Sequence, residues 1–181
     1  MSSIPFRLAN RCLLASVMIF PVYASAQNNE TAVSAPPSAV VKIEPLHGNR
    51  VNGTMTLEQT GSSVTINGTV NGLTPGKHGF HVHEGRSCNN RGGHFTAGNV
   101  PHGAPNTADD KHHVGDLGNV VVSDDGTARF SGVIKNVTLT GPNAIDGRVL
   151  VVHQGEDDMV SQPSGKAGEQ IGCGVIKVSA Q

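Results

Sequence analysis

Six of the nine histidines fall between His81 and His113. His81 and His83 are two residues apart. His94, His102 and His113 follow at separations of 8 and 11, with Asp116 three residues further on. The segment is rich in glycine and poor in apolar residues, so burial alone cannot order it. Clustered imidazoles beside a carboxylate point to a metal ion as the source of order. Three imidazoles and a carboxylate, His94, His102, His113 and Asp116, match the closed tetrahedral set that Zn²⁺ prefers. A histidine site with no cysteine ligand and an open position suits Cu(II). His153, after Val149-Leu150-Val151-Val152, is a further imidazole for such a site.

These side chains need rigid elements to hold them. The two-residue period of a strand puts His81 and His83 on one face and Phe80 and Val82 on the other, so ligands and core can share one strand. The chain around them reads as short β-prone runs at 40–46, 51–59, 63–70, 79–83, 119–123, 127–134, 148–154 and 172–179. Turn signals separate them: Asn71-Gly72, Pro75-Gly76, Asp124-Asp125-Gly126 and Gly141-Pro142-Asn143. Alternation is clear in Ser63-Val64-Thr65-Ile66 and in Met55-Thr56-Leu57, as in an antiparallel sheet with one face dry. No helical periodicity longer than two turns is present. The expectation is all-β: eight strands in a sandwich or flattened barrel, with two long loops at 84–118 and 155–171. Loops of that length inside a compact domain usually carry function.

The 181 residues allow one domain of ordinary size with a tail. Residues 1–26 carry Arg7 and Arg11, a short apolar run and Ala24-Ser25-Ala26, which reads as a cleaved secretory signal. The apolar run is too short to span a bilayer, so no stable membrane insertion is expected after cleavage. Residues 27–39 read as a flexible linker and 40–181 as the folded domain. Cleavage would remove two arginines and no acid, taking the formal charge from −1 to −3. No basic patch is visible in the sequence, which argues against nucleic acid as a partner. Loss of Cys12 with the signal leaves Cys88 and Cys173, an even pair that predicts a disulfide in an oxidising compartment, periplasmic or secreted.

Gly79-Phe80-His81-Val82-His83, Gly93-His94-Phe95, His113-Val114-Gly115-Asp116-Leu117-Gly118-Asn119, Val151-Val152-His153 and Cys173-Gly174-Val175-Ile176 together resemble the signature blocks of copper/zinc superoxide dismutases, in the same order. The resemblance, closest to the bacterial periplasmic forms, implies a Greek-key barrel and dismutation of superoxide to O₂ and H₂O₂ by alternate reduction and oxidation of copper. It implies copper on His81, His83, His94 and His153. Zinc would sit on His94, His102, His113 and Asp116, with His94 shared between the ions. It further implies Asp157 as the carboxylate tying His81 to His102, Cys88–Cys173 as the disulfide that pins the ligand loop, and superoxide as substrate. A homodimer is compatible with it. A copper or zinc buffer that kept the ligands and lost turnover is the competing reading.

One position departs from the family pattern. Where the family has an arginine three residues before the second disulfide cysteine, this chain has Gln170. A neutral amide cannot attract an anion at a distance, so slower turnover and a weaker salt dependence are expected. Arg86, Arg91, Lys111 and Lys166 are the cations within reach in sequence. His47 reads as a surface residue and His78 as a structural hydrogen-bonder. His112, next to His113, is an alternative zinc ligand, with His113 preferred for its Val-Gly-Asp continuation.

Overall fold

The computed structural model describes residues 35–179. The expected signal segment and residues 27–34 of the linker lie outside them. Eight strands follow one another: β1 Ser38–Pro45, β2 Asn52–Thr60, β3 Ser63–Asn71, β4 Gly76–His83, β5 Asp116–Val122, β6 Thr127–Lys135, β7 Val149–His153 and β8 Gln170–Val175. All pairs are antiparallel, and the sheet closes on itself in the order β1-β2-β3-β6-β5-β4-β7-β8. The β3–β6 neighbour is the crossover that makes the barrel a Greek key. Closure leaves no open sheet edge.

The core is aliphatic, as a chain this poor in aromatics requires. Val41, Ile43, Met55, Leu57, Val64, Ile66, Leu150 and Val152 fill it, with Phe80 meeting Phe130 edge-on at 4.9 Å between ring centroids. A second, smaller cluster of Val149, Val151 and Cys173 lies apart from it. Alternate residues of β7 thus feed two separate apolar clusters. His153 continues the row of Val149 and Val151.

Boundaries differ from the sequence reading in ways that packing explains. β1 begins at Ser38 because Ala39 is buried and pairs with Leu57. β4 starts at Gly76, since Lys77 and His78 already pair with Val121 and Val120. β8 stops at Val175, and Val178 makes only a single bridge, to Ala39. Asp116 is the first residue of β5 rather than part of the loop, placed opposite His81 by a bulge at Leu117 and Gly118. The two long connections, 84–115 and 154–169, contain no regular strand.

The Cys88–Cys173 disulfide is formed and joins the first of these connections to β8 across 85 residues of sequence. In the chain-entropy account, a loop of that length contributes about 4–5 kcal/mol of stability. Cys88→Ser should lower the unfolding free energy by about that amount, read from denaturant titration, with the slope of the transition reporting any change in the unfolded chain.

Candidate metal centre

The buried histidines are built outward from β4. Its residues from His78 to His83 are all buried. Phe80 and Val82 enter the core, while His81 and His83 pair across to Val151 and Val149 on the other face. His94 arrives from the long connection through a single bridge to His83. Three backbone hydrogen bonds of 2.8 Å knit it down: Phe95 N–H to the Val82 carbonyl, Val82 N–H to Gly115 and Gly115 N–H to Phe95.

Each ring is oriented by what one nitrogen holds. His83 Nδ1 donates to the Gly92 carbonyl at 2.9 Å and His153 Nδ1 to the Gly168 carbonyl at 3.1 Å. Both Nε2 atoms therefore present lone pairs, and they face one another at 3.4 Å. His81 Nε2 donates to Asp157 Oδ2 at 2.8 Å, and His102 Nε2 donates to Asp157 Oδ1 at 2.9 Å. One oxygen of Asp116 is used up by the N–H groups of His113 and Gly103. Its Oδ1 faces the Nδ1 atoms of His94, His102 and His113 at 2.7, 3.0 and 3.4 Å.

Four of the ring nitrogens are buried with no hydrogen-bond partner: His81 Nδ1, His94 Nε2, His102 Nδ1 and His113 Nδ1. The 3.0 Å approach of His102 Nδ1 to Asp116 is not aligned as a hydrogen bond. Leaving such an atom unsatisfied costs about 1–3 kcal/mol, so four so close together call for partners other than protein. The ligand atoms fall into two groups, each with all members within 4.8 Å of one another: His81, His83, His94 and His153; and His94, His102, His113 and Asp116. Lone pairs converging on a point are what a cation satisfies. The first set has imidazoles only, suited to copper, and the second has three imidazoles and a carboxylate, suited to zinc. His94 belongs to both, through opposite ring nitrogens.

A sequence model described as "Copper/zinc superoxide dismutase (SODC)" matches residues 51–176. The chain belongs to the copper/zinc superoxide dismutase family. It is also 38% identical to "Extracellular superoxide dismutase [Cu-Zn]" of Brugia pahangi, over 96% of this chain and 99% of that protein. As a member of the family it is an enzyme that dismutes superoxide with copper and zinc.

Among the residues singled out in sequence, all seven candidate histidine and aspartate ligands converge, and Asp157 bridges His81 and His102. His47 is exposed. His78 is buried, with Nδ1 2.9 Å from the His153 carbonyl and Nε2 2.9 Å from that of Thr74, so it props the backbone of His153. His112 turns its Nδ1 to the His113 carbonyl and stays out of the cluster. Sequence reasoning missed Asn119 and Gln162. Asn119 clamps Asp157 from both sides, Nδ2 donating to its carbonyl and Oδ1 accepting its N–H. Gln162 does the same for the backbone of His102. A two-sided clamp by a carboxamide leaves no mark in spacing, although Asn119 closes one of the signature blocks. Gly165 was also missed. It has φ +67°, and a Cβ there would meet the Asp157 carboxylate and His102 Nε2.

Electrostatics prepare the rings unequally. Burial lowers His81 to about 4, and His83 and His153 to about 3, so all three are neutral near pH 7. Burial also opposes charge on His102, but the Asp116 and Asp157 carboxylates close to its two ring nitrogens carry it up to about 9. Against burial, which would raise them, the imidazoles gathered around each carboxylate hold Asp116 and Asp157 well below the carboxylate range.

Two outcomes are expected. In metal-free protein the unfolded chain takes up protons at histidines near 6.5, while folded His81, His83 and His153 refuse them. Stability should therefore fall as pH drops from about 6.5 towards 3. His102 has the opposite sign: its contribution is whole below about 6.5 and is lost as pH rises towards 9. Melting temperatures of chelator-treated protein should peak near neutrality and fall more steeply on the acid side. Asp157→Ala should weaken metal retention by about 10–100-fold, measured by competition with a chromogenic chelator.

Proposed function

We propose that His81, His83, His94 and His153 hold the copper and that His94, His102, His113 and Asp116 hold the zinc. What carries this reading is the division of four partnerless buried nitrogens between two groups that share His94. When bound, copper supplies a one-electron couple that takes an electron from one superoxide and returns one to the next, giving O₂ and, with two protons, H₂O₂.

The chain's own part is orientation and proton handling. His94 Nδ1 is fixed against Asp116 at 2.7 Å, which leaves Nε2 as the ring atom that can take up and release a proton towards the copper group. Asp157 holds His81 and His102 by their Nε2 atoms, which points each Nδ1 at its own group and keeps the two groups in register. The His83 and His153 rings are fixed by backbone carbonyls and do not need a titrating partner. Gln170 pairs across the sheet with His153, at the edge of the copper group, and as a neutral amide can donate a hydrogen bond but attracts no anion over distance.

Export fits this chemistry. Residues 1–26 have the pattern of a cleaved signal, the relative from Brugia pahangi is named extracellular, and the disulfide is at home in an oxidising compartment. The protein is thus read as a secreted or periplasmic enzyme.

The test is the rate of superoxide loss with protein whose copper and zinc contents have been verified. Rapid loss that depends on copper is expected, and His83→Ala should drop it to the level of a zinc-only control. If the fully loaded protein itself is no faster than that control, the assignment moves to metal buffering.

A further inference from the structure

The superoxide anion must reach the copper group of a chain whose processed form carries a formal charge of −3, and Gln170 offers it no positive charge. Gln170 itself, however, holds a cation. Arg91 Nε donates to Gln170 Oε1, and Arg91 Nη1 donates to the Cys88 carbonyl. Gln170 is the cross-strand partner of His153. On its other side, Arg91 precedes Gly92, whose carbonyl orients the His83 ring. The guanidinium is therefore joined through short covalent and hydrogen-bonded paths to two of the four copper-group histidines.

Its charge is held but not cancelled. Among the described residues no carboxylate forms an ion pair with Arg91. Both of its protein partners are neutral oxygens, and Nη2 has no partner in the hydrogen bonds described. The loop under it is fixed twice more, by Gly85 N–H donating to the Arg91 carbonyl and by the Cys88–Cys173 disulfide. The other cations in sequence reach are differently engaged. Arg86 donates to the Asp146 carbonyl, Lys111 pairs with Asp110 at 3.0 Å, and Lys166 interacts with Asp158.

Resting on the copper assignment above, we infer that Arg91, anchored by Gln170 and the Cys88 carbonyl, is the residue that draws the superoxide anion to the copper group. The arginine charge has moved from β8 to the disulfide loop, and Gln170 has become its acceptor. The salt dependence that the sequence led one to expect would be weak is then restored, with Arg91 as its origin.

The experiment compares wild type, Arg91→Gln, Arg91→Lys and the double variant Arg91→Gln/Gln170→Arg, all with verified copper and zinc. Two quantities are read: kcat/KM for superoxide across ionic strength, and the affinity of azide for the copper(II) protein from its optical titration. Arg91→Gln should lose about tenfold in kcat/KM at low salt and flatten its salt dependence, and azide should bind correspondingly more weakly. Arg91→Lys should keep most of the salt slope, and the double variant should recover both readings. Unchanged rate, slope and azide affinity in Arg91→Gln overturn the inference, as does an Arg91→Lys loss as large as that of Arg91→Gln. If Arg91→Gln does not fold, Arg91→Lys decides: a retained slope supports the role and a lost one refutes it. Wild type without superoxide activity would defeat the dismutase reading itself, while the azide titrations would still judge Arg91.

Discussion

Asp157 has no carboxylate lone pair facing solvent. One oxygen takes the N–H of His81 and the other that of His102, the two rings belonging to different metal groups. Its own backbone is gripped by Asn119 from β5, and Gly165 leaves the space its carboxylate fills. The connection 154–169 is thereby tied to the barrel wall and to the other long connection at once. With that carboxylate in place, each ring keeps Nε2 on Asp157 and turns Nδ1 to its own group. Without it, both could rotate or change tautomer, and the convergence of lone pairs would be lost.

The barrel's role is to give that carboxylate a rigid reference. Strands β4 and β7 bury both faces, with Phe80, Val82, Leu150 and Val152 inward and His81, His83 and His153 outward under the loops. Cys173, on β8, is buried with Val149 and Val151 beneath the same cover. Loop order here comes from hydrogen bonds, one disulfide and a cation-π contact of Arg148 over Phe95 at 3.7 Å, because the loops have little apolar surface to bury.

Much of this was legible from residue type and spacing. Alternation located the strands, since a strand with one dry face must alternate. The His81–Val82–His83 triplet located the ligand face for the same reason. What spacing could not reveal was which nitrogen of each ring is held and by what. The carbonyls of Gly92 and Gly168 belong to the backbone and have no residue signature. Asn119 and Gln162 act through clamps closed only in three dimensions. Arg91 and Gln170 lie 79 positions apart, so no local pattern could join them. The start of β5 at Asp116 was hidden because a glycine-rich stretch bulges before its alternation becomes regular.

The shared use of β4 has a consequence for how errors are detected. Its pairing with β7 sets Phe80 opposite Val152 and His81 opposite Val151. A slip by one residue would turn every side chain over, driving two imidazoles into the hydrocarbon interior and Phe80 out under the loops. Such a barrel would lose its packing and its ligand set in the same step. Metal capture therefore acts as a proofreading event on strand pairing: only the correctly registered chain offers converging lone pairs, and only that chain gains the binding free energy.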